Sequence, residues 1–391
     1  MLNTSLSPWP SFTQEEADAV SKVLLSNKVN YWTGTECREF EKEFAAFVGT
    51  QYAVALSNGT LALDVALKAM GTGQGDDVIV TSRTFLASAS CIVTAGANPV
   101  FADVDLNSQN ISAETIKAAL TPNTKAIIVV HLAGMPAEMD GIMDLAKEHD
   151  LWVIEDCAQA HGAKYKGKSV GSIGHVGAWS FCQDKIMTTG GEGGMVTTND
   201  KELWSKMWSY KDHGKSYDAV YHREHAPGFR WLHESFGTNW RMMEMQAVIG
   251  RIQLKRMPEW TARRQAHAAK LAESLGKFAS IRLIEVADYI EHAQYKFYAF
   301  VKPEHLKEGW TRDRIVNELN ARKVPCYQGS CSEVYLEKAF DNTPWRPKER
   351  LKNAVELGDT SLMFLVHPTL TDDEIAFCKE HIEAVLAEAT A

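Results

Sequence analysis

The chain has 391 residues, 45% hydrophobic and 23% charged, with a formal net charge of −9. That length can bury a core large enough for two domains, and the acidic balance argues against broad nucleic-acid or acidic-membrane binding. No apolar run approaches the roughly 18–20 residues that span a bilayer, "MLNTSLSPWPSF" lacks the regions of a signal peptide, and seven cysteines without a paired framework suit a reduced, cytoplasmic setting.

In chain order, continuous apolar runs predict strands at 53–56 (AVAL), 77–81 (DVIVT), 98–104 (NPVFADV), 125–132 (KAIIVVHL), 151–157 (LWVIEDC), 177–181 (GAWSF) and 193–198 (GGMVTT). Their lack of polar alternation marks strands covered on both faces, as in a parallel α/β sheet. Amphipathic stretches lie between many of them, such as "TLALDVALKAMG", closed by Gly71. Residues 199 to 240 then turn polar, aromatic and histidine-rich, and are long for a connection. "RMMEMQAVIGRIQLKRMPEWTARRQAHAAKLAESL" predicts a long helical stretch, with Pro258 as a kink or break. The strand pattern "YKFYAFV" and helix pattern "TRDRIVNELNARKV" predict a smaller α+β domain. The expected division is 1–250 and 251–391.

Three strand ends carry chemistry. "FCQDKIMTTGGEGG" (181–194) puts Lys185 before a glycine run, whereas a phosphate-binding P-loop places its lysine after the glycines. A solvated surface lysine is one reading. Asp156 closes the apolar strand "LWVIED", where a carboxylate is costly to bury without a cationic partner; capping the next helix is the plain alternative. Pyridoxal phosphate needs an aspartate on its ring nitrogen and a lysine on its aldehyde carbon, and in an open α/β sheet ligands gather outside the carboxyl ends of strands. "SNGTLAL" (57–63) runs from a strand into a helix whose free N–H groups, with the Thr60 hydroxyl, favour an anion, although it is also a good cap and turn. Phe85 can stack on a cofactor ring or pack in the core.

The segments "NYWTGTECREFEKEFAAFVGTQYAVALSNGTLAL", "VIEDCAQAHGAKYKGKSVGSIGHVGAWSF", "DKIMTTGGEGGMVTT", "GTNWRMMEMQAVIGRIQL" and "LVHPTLTDDEI" resemble the DegT/DnrJ/EryC1/StrS sugar aminotransferases over nearly the whole chain. The resemblance implies the aspartate aminotransferase fold (fold type I), an α/β large domain with a seven-stranded, mostly parallel sheet. It assigns Lys185 to the Schiff base with pyridoxal phosphate, Asp156 to the ring nitrogen and Gln159 to the phenolic oxygen. Phe85 and Ala158 would cover the two ring faces, and Gly59, Thr60 and Ser180 would hold the phosphate. Asn239 would reach the phosphate of a neighbouring subunit, implying a homodimer with shared sites. Tyr31, Trp32, Arg83, His161, Arg230 and Arg241 are the substrate-side candidates, the arginines being equally suited to structural roles. His175 and Trp179 depart from the common pattern, with consequences for packing or acceptor choice.

The implied reaction moves an amino group from L-glutamate, leaving 2-oxoglutarate and pyridoxamine phosphate, to a sugar carbonyl for surface polysaccharide or lipopolysaccharide. Most of the family uses a nucleotide-linked keto sugar. A free 8-oxo-3-deoxy-octulosonate, giving an 8-amino sugar acid, is the alternative within the family. A sugar 3-dehydratase would carry histidine in place of Lys185. A nicotinamide-dependent oxidoreductase is disfavoured because "GTGQGDD" (71–77) precedes a strand instead of following one. Zinc is disfavoured because His213, His222, His225 and His233 lack ligand spacing. A non-catalytic cofactor-binding regulator is the remaining reading from another class.

Overall fold

All seven apolar runs become strands of one sheet. The computed structural model describes residues 6–391, and residues 1–5 of the expected first domain lie outside the described residues. The strands are β1 Tyr52–Leu56, β2 Asp77–Thr81, β3 Asn98–Ala102, β4 Thr124–Val130, β5 Trp152–Asp156, β6 Val176–Ser180 and β7 Gly194–Thr198. Their order across the sheet is β1-β7-β6-β5-β4-β2-β3. Neighbours from β3 to β6 run parallel, and β7 runs antiparallel between β6 and β1.

Alternation along each strand feeds two cores. Val78 and Val80 enter one cluster with Ile128 and Ile154, while Ile79 enters the opposite one with Ile127, Val129 and Val153. All eight are fully buried, and burial of each such side chain is worth about 1.5–3 kcal/mol. This double covering explains why the runs lack polar alternation. Between β1 and β2 lies the predicted helix, Gly59–Ala69, with Asn58 as N-cap.

A second, smaller body is built on strands β8 Ile281–Leu283, β9 Phe297–Val301, β10 Cys326–Tyr327 and β11 Ser361–Phe364, all antiparallel in the order β8-β9-β11-β10. Helices Arg312–Ala321 and Asp372–Ala389 pack on it. The long helix Glu244–Leu275 is continuous through Pro258, which corrects the expected break. Residue 250 lies within it, so this helix serves both bodies. The start of the described chain also joins the smaller body, where Leu6 packs in its core and the Ser7 N–H donates to Glu374 at 2.6 Å.

Candidate active site

Strand β5 ends in two adjacent carboxylates that the pleat sends to opposite faces. Glu155 is fully buried and satisfied: it meets His131 Nε2 at 2.9 Å and accepts from the N–H groups of Gly171, Ile173 and Gly174 at 2.6–2.8 Å. Asp156 faces a cavity. It accepts from the Ser88 hydroxyl at 2.8 Å and the Ala158 N–H at 3.1 Å. No cation among the described residues lies within 4 Å of it. Burial pushes its carboxyl above the usual range, although Ser88, Ala158 and the charge of Lys185 pull the other way. A buried carboxylate in that state calls for a cation from a ligand.

The cavity, about 600 Å³, lies at the carboxyl ends of the strands and is lined by Gly59, Thr60, Phe85, Asp156, Ala158, Gln159, Ser180 and Lys185. Eight of the nine expected cofactor contacts are thus together. A larger groove of about 830 Å³ beside edge strand β3 contains none of them. Phe85 is 71% exposed at the cavity, unlike a core aromatic. Gln159 Oε1 accepts from the Ala133 N–H at 2.8 Å, leaving its NH2 to donate.

The helix Gly59–Ala69 aims its N-terminus into the same space. Asn58 Oδ1 caps the Leu61 N–H at 3.0 Å, and the other first-turn N–H groups have no intrahelical acceptor. The seat is close-packed from behind. A Cβ at Gly59 would meet Ser180 Cβ at 2.5 Å, and one at Gly194 would collide with the Asn58 carbonyl. Gly190 and Gly191 turn the chain at φ 85° and 120°, values only glycine adopts freely. The glycines after Lys185 therefore serve both the turn and the wall behind the anion seat. The Lys185 loop is braced from afar, its carbonyl by the Trp9 indole at 2.8 Å and the neighbouring Asp184 carboxylate by the Tyr295 hydroxyl.

An anion seat, an unpaired buried carboxylate and a lysine in one cavity form the donor set that pyridoxal phosphate requires. The match over residues 10–383 is to the DegT/DnrJ/EryC1/StrS aminotransferase family model. The chain belongs to that family. Pyridoxal-phosphate dependence follows from membership. A relative from Acidithiobacillus ferrooxidans, named a UDP-N-acetyl-3-dehydro-α-D-glucosamine 3-aminotransferase, is 42% identical over 91% of this chain and 90% of its own. A GDP-perosamine synthase from Escherichia coli O157:H7 is 33% identical over 95% and 96%. The X-ray structure of an aminotransferase from Psychrobacter cryohalolentis superposes with a TM-score of 0.96 at 65% identity, covering 98% of this chain and 99% of that one. The architecture is that of the fold type I aminotransferases.

Several of the substrate-side candidates in this family member have side chains committed to partners elsewhere in the chain. Arg83 is fully buried, its guanidinium bonded to Gln109 at 3.1 Å and Ser361 at 2.8 Å. Tyr31 is buried between Glu41, Trp208 and Lys211, and Trp32 packs against Tyr31 and Trp208. His161 lies behind the cavity wall against Phe44, Trp179 and Phe181, and burial lowers its pKa to about 3. Arg241 pairs with Asp212 at 2.7 Å. Arg230 and Asn239 are exposed and outside the cavity of their own chain. His175 and Trp179 are packing residues: His175 Nδ1 accepts from the Val153 N–H, and the Trp179 indole donates to Thr197.

Ser88 and Thr84, whose hydroxyls lie 2.8 Å apart, add to the site through the Ser88 bond to Asp156. The hydroxyl-rich "TFLASAS" around Phe85 was the available signal. Trp9 and Tyr295 had none, lying 176 and 111 residues from the groups they brace.

Proposed function

We propose that this family member transfers an amino group from L-glutamate to the keto carbon of a nucleotide-linked sugar, working in the cytoplasm as a homodimer. The observation that carries the reading is the unpaired, buried Asp156 sharing one cavity with Lys185 and an open helix N-terminus. The nucleotide-linked acceptor is supported by the names of two relatives that match nearly end to end.

When bound, pyridoxal phosphate supplies an electron sink for the carbanion formed at the donor's α-carbon. Asp156, oriented by the Ser88 hydroxyl, would pair with the ring N–H⁺ and keep that nitrogen protonated. The Gly59 and Thr60 end of the helix, with Ser180, would hold the phosphate, and Asn239 from the neighbouring subunit would join them. The Gln159 NH2 would donate to the phenolic oxygen. Phe85 would cover one ring face and Ala158 the other, excluding water. The Lys185 amine would hold the aldehyde carbon and, when free, would carry the proton at the substrate's α-carbon.

Purified protein should absorb in the visible, and Lys185→Ala should lose that band with at least about a hundredfold of the transamination rate. A colourless protein that also takes up no added cofactor overturns the reading. Given glutamate, the enzyme should aminate a nucleotide-linked keto hexose and leave 8-oxo-3-deoxy-octulosonate unchanged; activity confined to the free sugar acid would overturn the acceptor assignment.

A further inference from the structure

A second cavity of about 450 Å³ adjoins the first and shares Phe85, Gln159, Asp184 and Lys185 with it. Its opposite wall belongs to the smaller body, and Lys296, just ahead of β9, projects into it. Lys185 Nζ and Lys296 Nζ stand 5.4 and 4.7 Å from the centroid of the same Tyr295 ring, so they are at most about 10 Å apart. Lys296 makes no ion pair and no hydrogen bond among the described residues, although it is half-buried. Asp184, the nearest carboxylate, accepts the Tyr295 hydroxyl and pairs with neither lysine within 4 Å. Glu337 is at the exposed rim. A desolvated ammonium without a counter-ion is costly, and an anionic ligand would relieve that cost.

We propose that Lys296 seats a carboxylate of the amino-acid donor, an inference that rests on the aminotransferase reading. Any such donor carries a carboxylate one bond from the carbon that reacts beside Lys185. A nucleotide-linked acceptor instead carries its diphosphate on the anomeric carbon, at least two ring bonds from a keto carbon at C3 or C4. The arrangement divides the work: the large body holds the reacting groups, and the small body grips the donor's charge.

The test is calorimetric titration of the cofactor-loaded enzyme with glutarate, an unreactive dicarboxylate analogue of glutamate. Lys296→Met should weaken glutarate at least about tenfold, the loss of a charge-assisted hydrogen bond, while Lys296→Arg stays within about threefold. In turnover, Lys296→Met should raise the KM for glutamate and leave that for the sugar unchanged. Burial lowers the Lys296 pKa to about 8 among Asp184, Lys185, Arg264 and His367. Wild-type affinity for glutarate should therefore fall as pH rises above that value, and Lys296→Arg should stay flat. The wild-type profile decides the matter even if Lys296→Met does not fold. A flat wild-type profile, equal affinity in wild type and Lys296→Met, or a loss confined to the sugar KM overturns this proposal alone. A wild-type enzyme that takes an amino group from no amino acid overturns the parent reading with it.

Discussion

Two neighbouring acids on one strand have opposite fates because only one is fully supplied with donors. Burial alone would raise the Glu155 carboxyl, but the His131 ring and the N–H groups of Gly171 and Gly174 outweigh it and hold it below the usual range. Cys157 lies beside this pair, yet the Glu155 oxygens are already taken by protein donors. A folded-state pKa below the unfolded value means that Glu155 stabilises the fold above the unfolded carboxyl pKa, and that the contribution is lost as pH falls through the folded one. Glu155→Ala should therefore cost about 3–5 kcal/mol at pH 7, because it strands a histidine and three N–H groups. The gap from wild type should narrow in acid, as read from unfolding midpoints at pH 7 and pH 3.5. A pH-independent gap would show that the cost comes from packing alone.

At the scale of elements, the anion seat depends on strand β7 as much as on the helix that forms it. The Gly59–Ala69 helix can present its first-turn N–H groups to a ligand because Asn58 caps only the Leu61 donor. Gly194, opening β7, presses against the Asn58 backbone with no room for a methyl group. Gly194→Ala should push that turn outward and weaken cofactor retention at least about tenfold, since seat geometry sets the charge-assisted bonds. Dialysis against cofactor-free buffer followed by absorbance measures this. Retention equal to wild type would show that the seat tolerates the shift.

On the whole-molecule scale, the segment from His222 to Asn239 has little to pack against in its own chain. Phe229, Trp231 and Phe236 are 79%, 80% and 100% exposed, a cluster of large apolar side chains that marks an interaction surface. In the proposed homodimer this arm meets the partner and brings Asn239 to the partner's phosphate seat. Lys185→Ala and Asn239→Ala, each impaired alone, should then complement on mixing. Statistical exchange makes half the dimers mixed, each with one intact site, so about a quarter of wild-type activity should return. No recovery after verified exchange would place Asn239 in its own subunit's site or in none.

The sequence by itself determined the seven sheet strands, the helix after β1 and eight residues of the central cavity. These are local signals: continuous apolar runs report burial on both faces, and "SNGT", "EDCAQ" and "QDK" stand at strand ends where a parallel sheet collects ligands. Only the tertiary structure decided which charged side chains were free to act. Arg83 and Arg241 looked as available as any cation, yet Gln109, Ser361 and Asp212 claim them from distant parts of the chain. Lys296, inconspicuous in "QYKFYAF", has no ion pair among the described residues, while the nearby Asp184 accepts the Tyr295 hydroxyl. Residue type sets what a group can donate or accept; whether a partner has already taken it is settled by contacts between residues far apart in sequence.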